Sequence, residues 1–194
     1  MPEYIIIAGI NGAGKSTLYD SQPLLFKNTR RINADEILRQ SGGNWRKTSD
    51  NFHAMRQELK EIHRALDVRE SIHVETTLSG NGRTQAELIA DAKNQGFNVT
   101  LIYLALPTPD LAISRVAERV KKGGHGIPSD LIIKRYKQSL SNLPKIARLA
   151  DSVSIYTNSF SLSLVFNRQG QAILFNNLSA FSWLPSTSEL MGKL

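Results

Sequence analysis

Short apolar runs and amphipathic stretches alternate along most of the chain, a pattern typical of an α/β fold with a parallel sheet. Five runs are predicted as strands, and the first is apolar and rich in β-branched residues, as expected for a strand that is buried on both faces. They lie at Tyr4–Ala8, Arg31–Asn33, Ser71–Glu75, Asn98–Leu106 and Ser152–Tyr156. The fourth run is the most apolar, so we expect its strand to lie centrally in the sheet.

Helices are predicted between these runs from three-and-four spacing of apolar residues and from start and stop signals. Thr84 and Glu87 make a capping box, and Gly96 offers a left-handed stop. Thr108 followed by Pro109 predicts the start of a later helix. The predicted helices cover Phe52–Arg69, Gln85–Gln95, the segment from Thr108 to the glycines at 123 and 124, and Asp130–Leu140, with a short helix after Pro144.

The segment GINGAGKST follows the first predicted strand and fits the phosphate-loop pattern. Its glycines allow backbone N–H groups and a helix starting at Lys15 to face phosphate oxygens. Lys15 would reach the β- and γ-phosphates, and Ser16 would bind magnesium. The alternative is a glycine-rich turn without a ligand. The predicted nucleotide-binding residues are Gly9, Asn11, Gly12, Ala13, Gly14, Lys15, Ser16 and Thr17, and the predicted cofactors are ATP and Mg²⁺.

A phosphate loop lies at a switch point of its sheet, and crossovers between parallel strands are right-handed. We therefore predict a P-loop NTPase fold of nucleotide-kinase type, with three layers and a parallel sheet in the order 2-3-1-4-5. Leu162–Asn167 and Ala172–Asn176 predict an antiparallel hairpin added at the sheet edge. The predicted domain has a core at residues 1–156, with a lid region at about 107–143, and a hairpin and tail at 157–194.

Two acids follow predicted strands at the sheet edge where ligands bind in open α/β sheets. Asp35 follows the second strand and is a candidate for contacting substrate, although Asn33 or Asp35 could instead cap the next helix. Glu75 ends the third strand and could order magnesium, contact the acceptor substrate, or only cap the next segment. Thr77 adds a hydroxyl on the same edge.

Arg115 and Arg119 lie four residues apart on one face of a predicted helix that leads into the flexible sequence GGHGIP. Such a basic face is suited to a mobile lid that senses phosphate, because arginine binds phosphate through two parallel hydrogen bonds. A solvated face with Glu118 as partner is the alternative.

The amino-acid composition favours some classes of ligand over others. The net charge is +7 and the sequence pI is near 9.8, which favours polyanionic ligands such as nucleotides. Aromatic residues make up only 7% and are not interleaved with basic stretches, so nucleic acid is an unfavoured partner. The absence of cysteine excludes disulfides and thiolate metal sites, and with no signal peptide or long apolar run we expect a cytoplasmic protein with no membrane contact.

Several stretches together resemble the zeta toxin family, including its shorter ATPase-like relatives. The similar stretches are GINGAGKST at Gly9–Thr17, INADEI at Ile32–Ile37, ETTLSG at Glu75–Gly80 and the run Arg115–Leu143, within about residues 4–156. Members of this family resemble nucleotide kinases in fold. The characterised toxins use ATP to phosphorylate UDP-N-acetylglucosamine on a sugar hydroxyl, and the resemblance also implies an antitoxin protein as a partner.

The resemblance implies a role for individual residues. Lys15 would bind the ATP phosphates, Asp35 would be the base that takes the acceptor proton, and Glu75 and Thr77 would hold the acceptor.

An arginine of the lid helix, Arg115 or Arg119, would stabilise the transferred phosphoryl group. The sequence departs from the toxin pattern near the second lid arginine, because GGHGIP contains His125 and no arginine. Arg135 could substitute for that arginine.

Three functions follow as hypotheses. The first is an ATP-dependent kinase acting on a nucleotide sugar. The others are a polynucleotide or nucleoside kinase, or nucleic-acid-binding ATPase, and a non-catalytic nucleotide switch held by an antitoxin-like partner.

Overall fold

The computed structural model describes residues 1–192, so residues 193 and 194 of the predicted tail lie outside the described residues. The strands are β1 (Glu3–Ala8), β2 (Arg30–Ile32), β3 (Ile72–Thr76), β4 (Asn98–Ala105), β5 (Ser152–Thr157), β6 (Ser163–Gln169) and β7 (Ala172–Asn176). The helices are α1 (Lys15–Ser21), α2 (Ala34–Gln40), α3 (Thr48–Asp67), α4 (Arg83–Asn94), α5 (Pro109–Lys121), α6 (Ser129–Leu149) and α7 (Thr187–Met191). Short 3₁₀ turns cover Pro23–Phe26 and Leu178–Ala180.

The sheet has seven strands in the order β2-β3-β1-β4-β5-β6-β7, with β4 in the middle. The first five strands are parallel, and β6 and β7 extend the sheet as an antiparallel hairpin beyond β5. The predicted order 2-3-1-4-5 and the C-terminal hairpin are therefore confirmed. All five parallel strands end at one edge of the sheet, and this edge carries the loops that form the site.

Helices cover both faces of the sheet, and β1 shows how alternation produces this arrangement. Tyr4 and Ile6 face one way and pack with residues of α3, α4 and α6. Ile5 and Ile7 face the other way and pack with residues of α1 and α5. Because Ile5, Ile6 and Ile7 are buried, each contributes roughly 1.5–3 kcal/mol of hydrophobic stabilisation relative to exposure.

Two predicted helix boundaries are wrong. The capping box at Thr84 does not form, because α4 begins at Arg83, two residues before the predicted start at Gln85. Gly82, with φ of 70°, takes the cap position without a side-chain hydrogen bond. The predicted break at Pro144 is also absent, since α6 runs continuously from Ser129 to Leu149 through this proline. A proline removes one helical hydrogen bond, but here the turns around it bury apolar residues in the core, and this packing keeps the helix whole.

The amphipathic pattern of α3 is confirmed only in its second half. Ile62 and Leu66 are buried, but Phe52 is 59% exposed and Met55 is 51% exposed. The first turns of α3 therefore project beyond the core and leave room for a cavity between this helix and the sheet edge.

Candidate active site

The phosphate loop connects β1 to α1 and has the backbone shape that its sequence predicts. Gly14 has φ of 98° and lies at the N-cap of α1, with no side chain capping the helix. The first turn of α1 therefore has N–H groups available to an anion, which the helix dipole also favours. The ammonium group of Lys15 folds back on the loop and donates to the carbonyl of Gly9 at 2.7 Å.

Four charged side chains act on the ammonium group of Lys15. Burial is the largest influence and lowers the pKa of Lys15, while the carboxylates of Glu75 and Asp35 raise it. The guanidinium groups of Arg119 and Arg135 lower it further. Residues that are far apart in sequence thus surround the lysine of the phosphate loop, as expected of a site that handles a highly charged ligand.

A cavity of about 420 Å³ opens beside the loop, in the size range of small-molecule sites. It brings together the predicted site residues Asn11, Lys15, Asp35, Glu75 and Thr77. The rest of the wall comes mainly from α3 and from the segment that leads into α4. Its lining also includes Met55, Glu58, Leu59, Ser79, Gly80, Asn81, Gly82, Arg83, Thr84, Gln85 and Arg135.

Asp35 lies in the first turn of α2 and is not the cap of this helix. The cap is Asn33, whose Oδ1 accepts from the N–H groups of Asp35 at 2.8 Å and Glu36 at 3.3 Å. Asn33 is 8% exposed and its position follows directly from the end of β2. Because the cap function belongs to Asn33, the carboxylate of Asp35 is not required for it.

Glu75 is engaged by three donors that converge on its Oε1 atom. Asn33 Nδ2 donates at 2.7 Å, Tyr19 donates through its hydroxyl at 3.3 Å, and the guanidinium of Arg31 forms an ion pair with the same oxygen. Arg31 also pairs with Glu36 at 2.6 Å and stacks over the ring of Tyr19. The charge of Glu75 is thus already balanced by the protein, and Oε2 takes part in none of these contacts.

Glu58 is a site residue that the sequence patterns did not single out, and Arg135 was predicted only as a substitute for the second lid arginine. Glu58, on α3, accepts from the backbone N–H of Ala34 at 3.1 Å. Burial raises the pKa of Glu58 to about 7, and the charges of Asp35 and Glu75 act in the same direction. One feature of the sequence could have identified Glu58. It is an acid at helical spacing from Met55 and Ile62, so it lies on the face that the apolar pattern assigns to the core.

Arg135 reaches the phosphate loop from the second turn of α6, where its Nη1 donates to Asn11 Oδ1 at 2.9 Å. Burial lowers the pKa of this arginine and the charge of Asp35 opposes that effect. Its position in the cavity wall makes it a candidate for contacting phosphate.

The two arginines predicted from α5 differ in their surroundings. Arg115 donates to the backbone carbonyls of Gly12 at 3.4 Å, Asn158 at 2.6 Å and Ser159 at 3.0 Å, on the outer side of the phosphate loop. Arg119 is exposed and donates to the carbonyl of His125 at 2.9 Å. Neither lines the cavity, although the charge of Arg119 acts on Lys15.

The segment after α5 that was predicted as part of a lid contacts the loop between α2 and α3. Trp45 stacks on His125 with ring centroids 5.7 Å apart, and a Cβ atom at Gly126 would lie 3.2 Å from the ring of Trp45. Trp45 therefore packs against the segment that follows Arg119 in the chain.

Magnesium has a limited protein ligand set here. Ser16 is exposed at the start of α1, where a hydroxyl can meet an ion held between phosphates. Within residues 1–192, no three or more His, Asp or Glu side chains cluster in a way that could hold a metal. The hydroxyl of Ser16 beside the phosphate loop fits an ion that is bound largely by phosphate and water, as is usual for Mg²⁺.

Comparison with known families matches the chain to a family model described as zeta toxin, over residues 1–179. This chain belongs to the zeta toxin family. A relative in Haemophilus influenzae, an uncharacterised protein, is 33% identical over 132 residues, which cover 68% of this chain and 91% of the relative.

Solved structures share the fold of this zeta toxin family member at low sequence identity. A structure of the PezAT chromosomal toxin–antitoxin system of Streptococcus pneumoniae matches with a TM-score of 0.63 and 20% identity, covering 86% of this chain and 72% of that chain. The AvrRxo1-ORF1:ORF2 complex with ATP matches with a TM-score of 0.67 and 15% identity, covering 96% of this chain and 64% of that one. The chain thus spans less than two thirds of the second neighbour.

Family membership and fold together support a kinase-type phosphotransferase that binds a nucleotide. The expected resemblance to the zeta toxin family and the P-loop kinase-type fold are confirmed. No helix within residues 1–192 has the length and apolar character needed to cross a membrane.

Proposed function

We propose that this chain transfers the γ-phosphoryl group of ATP to a hydroxyl of a small acceptor, a nucleotide sugar such as UDP-N-acetylglucosamine. The observation that carries the proposal is the shared cavity, in which the phosphate-loop lysine and Arg135 lie with the carboxylates of Asp35 and Glu75. Phosphoryl transfer requires mainly positioning and charge stabilisation, and this arrangement supplies both.

The phosphate-binding side consists of Lys15, Arg119 and Arg135. On binding ATP, Lys15 would exchange its contact with the Gly9 carbonyl for the β- and γ-phosphates. Arg119 and Arg135 would offset the charge of the moving group, because both already act electrostatically on the position of Lys15.

Asp35 is the proposed general base. The acceptor hydroxyl oxygen would form a bond to the γ-phosphorus while the bond from that phosphorus to the bridging oxygen of ADP breaks. The hydroxyl proton would pass to the carboxylate of Asp35, which has no capping duty, whereas Glu75 is bound by Arg31, Asn33 and Tyr19. Glu75 and Thr77 would instead hold other hydroxyls of the acceptor.

Magnesium would be held by Ser16 together with the ATP phosphates, and by Glu75 through water from its Oε2 side. When bound, the ion neutralises charge on the β- and γ-phosphates. Every other contribution comes from the side chains named above.

The acceptor class is proposed from the family resemblance, and the chemistry of the remaining wall supports it. Met55 and Leu59 offer apolar surface, and Glu58 and Thr77 offer hydrogen-bonding groups. This combination suits a ligand with both flat apolar faces and several hydroxyls, as a nucleotide sugar has.

The test is to incubate the purified chain with γ-labelled ATP, magnesium and a panel of nucleotide sugars, nucleosides and oligonucleotides, with Lys15→Ala as control. We expect label on a nucleotide sugar and none with the variant. Label only on nucleosides or oligonucleotides would refute the acceptor class, and the absence of any transfer would refute the kinase assignment.

A protein antitoxin is the second proposed partner, supported by family membership and by the toxin–antitoxin system among the structural neighbours. An antitoxin is needed only if transfer is toxic. Induced expression should therefore slow bacterial growth for the parent and not for Asp35→Asn. Equal growth of the two cultures would argue against a toxin that acts by phosphoryl transfer.

A further inference from the structure

Two side chains outside the phosphate-loop motif hold the outer side of that loop. Asn158 Nδ2 donates to the carbonyl of Ala13 at 3.1 Å, and Arg115 Nη1 lies 3.4 Å from the carbonyl of Gly12. Asn158 follows β5, and Arg115 is on α5, so both are more than 90 residues from the loop in sequence. We propose that Asn158 and Arg115 are positioning residues that set the direction of the Gly14 N–H group, and thereby the affinity for nucleotide. The inference rests on the proposed nucleotide site.

The peptide bond between Ala13 and Gly14 links the contact of Asn158 to the direction of the Gly14 N–H group. In a trans peptide the carbonyl and the following N–H point in opposite directions. Holding the carbonyl of Ala13 outward against Asn158 therefore turns the N–H of Gly14 towards the inner side of the loop, where phosphate binds in such loops. Asn158 is only 7% exposed, so its amide has little freedom to leave this contact.

The side chain of Asn158 also explains why glycine is required at position 14. A Cβ atom built there would lie 2.0 Å from Asn158 Nδ2, which is far below any allowed contact. The side chain of Asn158 therefore occupies the space that a larger residue at position 14 would need. This contact makes Asn158 a structural complement of the motif, although it lies 145 residues away from Ala13.

Arg115 supports both the phosphate loop and the segment that carries Asn158. Its Nη2 donates to the carbonyls of Asn158 at 2.6 Å and Ser159 at 3.0 Å, while Nη1 faces Gly12. The planar guanidinium can serve these carbonyls at once because its donors form a rigid fork, which an ammonium group lacks. Arg115 thus fixes the backbone from which Asn158 projects and ties α5, one turn before Arg119, to the phosphate loop.

The decisive variant is Asn158→Asp, which keeps the shape but removes the donor and sets an oxygen against the Ala13 carbonyl. We expect the affinity for a non-hydrolysable ATP analogue with magnesium, measured by calorimetry, to fall about tenfold or more, since a buried carbonyl loses its partner. In the nucleotide-free protein, the amide NMR signal of Gly14 should shift. Asn158→Ala removes the same donor without adding charge and serves if the first variant folds poorly.

Arg168 provides a matched control for Arg115. It also donates to backbone carbonyls, including those of Asp151 and Gly170, but at the opposite end of the sheet, where β5 begins. Arg115→Lys should weaken analogue binding several-fold, whereas Arg168→Lys should lower stability and leave the affinity of the folded protein unchanged.

The outcomes separate the two proposals. If the parent binds no ATP analogue, the proposed nucleotide site is refuted. If the parent binds and folded Asn158→Asp binds equally well with an unshifted Gly14 signal, the positioning role is refuted and Asn158 is only part of the fold.

Discussion

Replacing Glu58 by glutamine should change how stability depends on pH. Burial, reinforced by the charges of Asp35 and Glu75, raises the pKa of Glu58 from its ordinary value of 4.5 to about 7 in the folded protein. Below pH 4.5 the carboxyl is protonated in both the folded and unfolded states. As pH rises, the unfolded state loses this proton first, so the folded state becomes less stable until pH passes about 7.

The size of the effect follows from the same pKa values. The change from 4.5 to about 7 corresponds to about 3 kcal/mol in the free energy of unfolding, and solvent screening at a half-buried site reduces this towards about 1 kcal/mol. Glutamine cannot ionise, but it can still accept from the N–H of Ala34. The advantage of Glu58→Gln over the parent should therefore grow by about 1–3 kcal/mol between pH 5 and pH 8.

Urea unfolding of parent and variant at intervals across this pH range measures the difference directly, because contributions from other titrating groups cancel. Glu61→Gln is the matched control, since Glu61 is on the same helix but pairs with Arg30. The control variant should not reproduce the growing advantage of Glu58→Gln. A Glu58→Gln advantage that is the same at pH 5 and pH 8 would refute the buried, carboxylate-facing environment described for this residue.

Three further predictions concern the proposed transfer. Lys15→Ala should weaken ATP binding and abolish transfer while thermal unfolding stays close to that of the parent, as calorimetry and a transfer assay can check. Asp35→Asn should lower single-turnover transfer by at least about a hundredfold with ATP binding unchanged, and a rate within a few-fold of the parent would refute the base assignment. If Arg119 or Arg135 contacts the transferred phosphoryl group, replacing that arginine by alanine should lower kcat by about a thousandfold, whereas the control Lys134→Ala should change kcat little. Small, equal losses of kcat for Arg119→Ala and Arg135→Ala would favour solvated side chains without a catalytic role.

Much of the fold could be predicted from the sequence because its signals are local. Five apolar runs, the phosphate loop and the hairpin each depend on residues next to one another, and the rules for crossovers then restrict the strand order. Predictions became wrong where packing outweighed a local signal. Pro144 lies within α6 because the helix is held by core contacts on both sides of it, and sequence punctuation does not measure such contacts.

The site was predicted less completely, because its members converge only in three dimensions. Lys15, Asp35 and Glu75 follow strands, so the sheet edge brings them together as predicted. Glu58 belongs to a helix that the pattern assigned to the core. Asn158 follows a strand of average composition, and nothing near it in sequence indicates that it meets the phosphate loop.

The different roles proposed for Asp35 and Glu75 depend on contacts that only the tertiary structure shows. Both acids follow strands at the same edge, so the strand pattern alone favours neither as the base, and only the resemblance to the zeta toxin family assigned this role to Asp35. The register of β2 on β3 pairs Arg31 with His73, two residues before Glu75, and this places the guanidinium against the Glu75 carboxylate. The Oε1 atom of Glu75 is thus already engaged by Arg31, Asn33 and Tyr19. Asp35 has its backbone N–H capped by Asn33 and its carboxylate free of that duty, which is why we propose it as the group that takes the acceptor proton.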